Sequence, residues 1–256
     1  MPRSSRWFRW LAFVFGADPV AGDPHRPAAV VRFTLIAVLV YSVLISSTSF
    51  QRRHGAFYRA FGNLSFASFG GTGSVSFFDA ASPTLRNDVR DEIRQWQANP
   101  RLEIPGALQL PRQEGEKDTL VMLGNSRTPT SLGFLRTSHR LMAYTPTVLM
   151  LALVVATPGS VRRRLGILLV SAVALHVAIF VKLAVFISHG QFANAGKKYH
   201  LFDPSPFWLD LLRRANEILC IDPTFNYIFP IGLWVLAAAI VGMAASIIRD
   251  RSTSRA

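Results

Sequence analysis

Cys220 is the single cysteine of the chain, and it shares one stretch between two apolar runs with His189, His200, Arg213 and Arg214. A thiol becomes a nucleophile when a nearby base or cation lowers its pKa, and an arginine can stabilise the oxyanion that follows. Cys220 with His189 or His200 as base and Arg213 as oxyanion donor is therefore the set from which a membrane thiol enzyme of transpeptidase or protease type would be built. Against it, Cys220 stands between Leu219 and Ile221 on the apolar flank of a helix end, where a thiol behaves as a small hydrophobe. His176 and Lys182 lie inside an apolar run, where an ionisable group is costly and raises the question of a proton relay or ligand site. No second intramembrane histidine or carboxylate completes a relay with His176, and Lys182 is near enough to the end of its run to extend to the interface. Arg86, Arg90 and Arg94 recur at a spacing of four, one ridge of a helix, and form a candidate anion or peptide site or else a solvated face. Gly70-Gly71-Thr72-Gly73 lacks the Lys-Ser/Thr of a phosphate loop and reads as a hairpin turn. Neither metal-ligand spacing nor a nucleotide loop is visible, so no cofactor or metal is expected.

These residues are positioned by apolar segments. Leu141 to Thr157 carries no charge, Leu165 to Ile187 carries one Lys and one His, and Pro158-Gly159 separates the two. At about 1.5 Å per residue both runs can cross a hydrocarbon core of roughly 30 Å, the first only just. The pair reads as a transmembrane helical hairpin (141–187), and Arg162, Arg163 and Arg164 in its short loop hold that loop in the cytoplasm. Half of the 256 residues are hydrophobic and only 17% are charged, the balance of a membrane protein. The net charge of +13 is concentrated beside the apolar runs, which points to anionic lipid headgroups as partner and away from nucleic acid.

In chain order, 1–32 is a basic and aromatic cytoplasmic segment suited to the interface, with Arg3, Arg6 and Arg9 beside Trp7, Trp10 and Phe13. Residues 33–50 form the first span, and 51–140 make a small extracytoplasmic α+β domain. Within that domain Leu64-Ser65-Phe66 and Ser74 to Phe77 are expected to pair as a hairpin. Ser82-Pro83 opens a helix whose face is Leu85, Val89, Ile93 and Trp96, and further strands are expected at Leu102–Ile104, Ala107–Leu110, Thr119–Leu123 and Leu132–Leu135. Residues 188–224 are an outer loop with an interfacial amphipathic helix opened by Ser205-Pro206 and stopped by Asp222-Pro223. Residues 225–248 form the last span and 249–256 a basic cytoplasmic tail. The expected fold is thus a mainly α-helical membrane protein with four transmembrane helices, both termini cytoplasmic; three spans result if the short Pro146-containing run fails to cross.

The Tyr144-Thr145-Pro146 start of the hairpin, the run Leu151-Ala152-Leu153-Val154-Val155-Ala156-Thr157-Pro158-Gly159 before Arg162-Arg163-Arg164, and Phe225-Asn226-Tyr227-Ile228-Phe229-Pro230 at the last span resemble the bacterial membrane proteins called exosortase H-associated. The resemblance implies an inner-membrane accessory to a sortase-like processing system, working with a membrane protein partner, and not the protease itself. Exosortases have more spans and an intramembrane Cys, Arg and His set, whereas Cys220 lies outside the spans expected here. The expected function is therefore a non-enzymatic accessory whose outer domain binds or presents a partner; the thiol enzyme and a small transporter subunit are the alternatives.

The orientation has a direct check. With Cys220 replaced by Ala, Ser126→Cys should react with a membrane-impermeant maleimide on intact cells while Ser160→Cys stays protected until the membrane is opened. The reverse pattern would invert the topology.

Overall fold

The computed structural model describes residues 26–67, 73–96, 118–125, 132–192 and 204–253. Its elements are α1 (Arg26–Ser46), α2 (Thr48–Phe66), β1 (Gly73–Asp79), α3 (Leu85–Trp96), β2 (Thr119–Asn125), β3 (Leu132–Thr137), α4 (Thr145–Ala156), α5 (Val161–Phe192), α6 (Pro206–Asn216) and α7 (Phe225–Thr253). Two single π-helical turns, Arg140–Tyr144 and Glu217–Ile221, lead into α4 and out of α6. Ala28–Ser46, Val161–Gly190 and Phe225–Met243 are long and apolar enough to cross a membrane, and Arg140–Ala156 is a shorter apolar helix. This is the make-up of a multi-pass membrane protein.

The chain divides into two compact units: Met1–Thr48, Thr145–Val177 and Asn226–Ala256 form one, and Ser49–Tyr144 with Ala178–Phe225 the other. In the first unit α1 packs on α4, and Leu153, Val154, Ile167, Trp234, Ala237 and Ala238 make a common core with Phe33 against it. Helix α4 has no polar stripe because it is buried on most sides: Val148, Met150, Ala152 and Leu153 are all inside. Its partners α1 and α5 keep Leu35, Leu39, Leu169 and Val173 exposed, as lipid-facing surfaces require. The turn between α4 and α5 depends on Gly159, whose φ of 122° is closed to residues with a side chain.

In the second unit an antiparallel sheet in the order β1-β2-β3 is covered on both faces. Val75 pairs with Leu123 and Phe77 with Val121, while Val121 in turn pairs with Leu135. On one face α3 lays Leu85, Val89 and Ile93 onto Leu120 and Met122. The expected phase of this helix is therefore observed, although its first residue is Leu85, beyond Ser82-Pro83. On the other face Tyr58 and Phe66 of α2 meet the Phe77 ring at centroid distances of 6.2 and 6.3 Å. Helix α2 approaches the sheet closely because position 62 is glycine: a Cβ there would lie 2.7 Å from the Phe77 ring.

The expected hairpin of Leu64-Ser65-Phe66 with Ser74–Phe77 is not formed. Leu64 to Phe66 is the last turn of α2, and β1 pairs with β2 instead. The reason is visible in the burial of α2, where Gly55, Tyr58, Gly62 and Phe66 make one helical stripe. The first apolar helix also ends earlier than expected, at Ser46, where the polar Ser46-Ser47-Thr48 junction separates it from α2. The proposed strands at 102–104 and 107–110 and residues 1–25 of the N-terminal basic segment lie outside the described residues, whereas 26–32 of that segment already belong to α1.

Along the free edge of β1, the Asn63 side chain pairs with the backbone of Phe77 in both senses: its Nδ2 donates to the Phe77 carbonyl at 3.3 Å and its Oδ1 accepts the Phe77 N–H at 2.6 Å. Asn63→Ala strands both groups and should destabilise the second unit by about 1–3 kcal/mol, measured as a lowered unfolding midpoint of the solubilised protein. Asn63→Asp, which keeps the acceptor alone, should fall between.

Candidate functional site

The densest group of polar side chains in the second unit is one that spacing alone does not reveal. Strand β2 begins just after Asp118, and β3 ends just before Ser138 and His139. Asp118 Oδ1 accepts the His139 backbone N–H at 3.0 Å and the Thr119 hydroxyl at 3.1 Å, while Oδ2 lies against His139 Nδ1. Burial pushes the Asp118 carboxyl up, but these contacts with His139 outweigh it and hold the group below the ordinary carboxylate range. The His139 ring is enclosed by His54, Tyr58 and Tyr144, each at a centroid distance of 6.3 Å. Burial raises the Tyr58 phenol well above its usual range, opposed by the neighbouring Thr137 hydroxyl, so this phenol stays protonated.

An aspartate that orients a histidine is the base half of a nucleophilic mechanism. Here His139 is 5% exposed and closed in by rings. The pair instead ties the start of β2 to the chain leaving β3. One clue to it was local: His54 and Tyr58 are four apart and share a face once α2 is recognised as a helix. The contact between Asp118 and His139 spans 21 residues and had no local signal.

The thiol set is arranged differently from what catalysis requires. Cys220 lies in the π turn after α6, and its Sγ–H donates to the Lys182 carbonyl at 3.5 Å. Burial pushes the Cys220 thiol up to about 11, against a smaller opposing pull from Lys182. That is the reverse of nucleophile activation. His189 lies within electrostatic reach of Glu217 and Arg213, and both Arg213 and Arg214 are engaged with Asp210 on their own helix. His200 lies outside the described residues.

His176, half-buried, uses Nδ1 on the Ala172 carbonyl of its own helix at 2.7 Å, a local side-chain-to-backbone bond. Lys182 does not extend to the interface as expected. It is 4% exposed, with Nζ 5.7 Å from the centre of the Phe225 ring, a cation–π contact that holds the ammonium inside the second unit. On α3, Arg86 and Arg94 are exposed and Arg90 half-buried; Arg94 pairs with Asp91 at 3.1 Å, whereas Arg86 and Arg90 have no ion-pair partner among the described residues. Glu92 lies on the sheet side of the helix, where it accepts the Ser76 hydroxyl at 2.7 Å. Arg162, Arg163 and Arg164 occupy the first turn of α5, not the loop before it, and Arg164 Nε donates to the Thr157 carbonyl at 2.8 Å.

No family model, curated protein or solved structure matches the chain.

The state of Cys220 can be read from its reactivity. With the thiol raised from about 9 to about 11, about a hundredfold less thiolate is present at neutral pH than for an unperturbed cysteine. Iodoacetamide should modify Cys220 correspondingly slowly at pH 7.5, with the rate climbing as pH rises towards 11. A rate at pH 7.5 equal to that of a free thiol would reverse this description.

Proposed function

We propose that the chain is a non-enzymatic accessory protein of the bacterial inner membrane, with four spans and both termini cytoplasmic, whose α+β unit binds a membrane protein partner. The resemblance to exosortase H-associated proteins suggests that this partner belongs to a sortase-like processing system. The observation that carries the reading is the division of α3 into two faces. Leu85, Val89 and Ile93 are locked into the sheet, so the helix is held in place, while Arg86 and Arg90 stand on its other side without an ion-pair partner among the described residues. A fixed pair of unneutralised guanidinium groups suits an acidic segment of another protein, because it loses little entropy on binding. The raised Cys220 thiol and the enclosed His139 support a binding role over a catalytic one.

A photo-crosslinking amino acid at Asn87, exposed between these arginines, tests the idea in native membranes. A discrete cross-linked membrane protein is expected, lost when Arg86 and Arg90 are both replaced by Glu and retained in Cys220→Ala. Cross-linking unaffected by the double charge reversal would reject the arginine face as the binding surface.

A further inference from the structure

The first unit contains a cleft of about 470 Å³ at the end where α1 begins and α4 turns into α5. Its walls are apolar or small, with Phe33 and Ile36 from α1 and Pro158 and Gly159 from the turn, and two arginines reach it from different helices: Arg32 of α1 and Arg164 of α5. Among the described residues no aspartate or glutamate lines it. Arg164 is held in place, since its Nε–H is spent on the Thr157 carbonyl at 2.8 Å, which fixes the plane of the guanidinium and leaves its outer N–H groups to bind elsewhere.

Three further features bear on what fills this space. Arginines in the first turn of a helix stand at the positive end of the helix dipole, an arrangement that costs energy until an anion offsets it. Next to the lining residues, Val31 and Leu35 of α1 are 56% and 65% exposed on an otherwise apolar helix, so hydrocarbon lies beside the cleft. The cationic groups sit at the ends of apolar helices, the depth of lipid phosphates.

We propose that this cleft is a specific site for an anionic glycerophospholipid. The phosphodiester lies between the Arg32 and Arg164 guanidinium groups, the headgroup covers the turn at Pro158-Gly159, and an acyl chain follows Phe33 and Ile36 down α1. The charges select an anionic lipid over a zwitterionic one, because a choline ammonium would meet two arginines with no acid beside them. The apolar wall selects a lipid over a soluble phosphate, which has nothing to place against Phe33.

Full-length protein would be reconstituted in nanodiscs of phosphatidylcholine containing a minor fraction of phosphatidylglycerol, and co-retained lipid counted by native mass spectrometry after release. Phosphatidylglycerol should be retained in preference to phosphatidylcholine, and Arg32→Gln and Arg164→Gln should each weaken that preference about fivefold. Arg162→Gln, on an exposed residue beside the cleft, should leave it unchanged. Because Arg164 also supports the turn, Ala29→Phe serves as a second variant: it fills the cleft without altering charge and should displace the lipid while the unfolding midpoint holds. Equal losses from Arg162→Gln and Arg32→Gln would mean diffuse attraction and overturn the site. Full competition by millimolar inorganic phosphate would also overturn it, in favour of a free-anion site.

Discussion

Thr157 carries the first unit. Itself fully buried, it ends α4 where the backbone breaks and reverses. Its hydroxyl donates to the Leu153 carbonyl at 2.8 Å and accepts the Trp234 indole N–H at 2.8 Å, and its own carbonyl accepts from Arg164. One small residue therefore joins α4, α5 and α7, and satisfies groups that would each cost several kcal/mol if left unpaired in an apolar medium. Trp234, fixed by that bond, stacks on Phe33 at a centroid distance of 5.4 Å, which brings α1 into the same arrangement. The wall of the lipid cleft and the aim of Arg164 both follow from this node.

The second unit obeys the same rule with different residues. Its three-stranded sheet is closed by helices on both faces. Where the ladder ends, side chains take over: Asn63 pairs the edge of β1, Asp118 receives the His139 N–H, and Asp79 pairs with Arg59 at 2.9 Å. Most of the unit's polar side chains that looked capable of chemistry are engaged in this way; Arg86 and Arg90 of α3 have no ion-pair partner among the described residues.

Much of this was legible because it rests on local period. The apolar runs, the face of α3, the strands at Ser74–Phe77, Thr119–Leu123 and Leu132–Leu135, and the Ser205-Pro206 start of α6 all follow from spacing of 2 or 3.6. Helix α2 was missed because Gly55 and Gly62 and the charges of Arg52, Arg53 and Arg59 conceal its stripe; the glycines are there for close approach to other elements, which only the tertiary structure explains. The same limit applies to the sites. Arg164 looked like a topology signal, and nothing in its neighbours shows that its Nε would be spent on Thr157 or that Arg32, 132 positions away, would reach the same cleft.

The π turns show how these two scales meet. Each is a wider helical turn at one end of an α-helix, Arg140–Tyr144 before α4 and Glu217–Ile221 after α6. At Arg140–Tyr144 the turn buries Met142, Ala143 and Tyr144 together, setting Tyr144 against His54 at 5.4 Å while α4 continues into its apolar surroundings. At Glu217–Ile221 the turn carries Cys220 round to the Lys182 carbonyl while Ile218 and Ile221 stay exposed. The chemistry-bearing residue at 220 is thus turned inward by backbone geometry, and the surface left facing outward is hydrophobic. A catalytic thiol needs the opposite arrangement, a sulfur open to substrate beside a cation that is itself accessible. Cys220 is used in packing against the Lys182 carbonyl, and the positions left exposed beside it are apolar, Ile218 and Ile221, and cationic, Arg213 and Arg214.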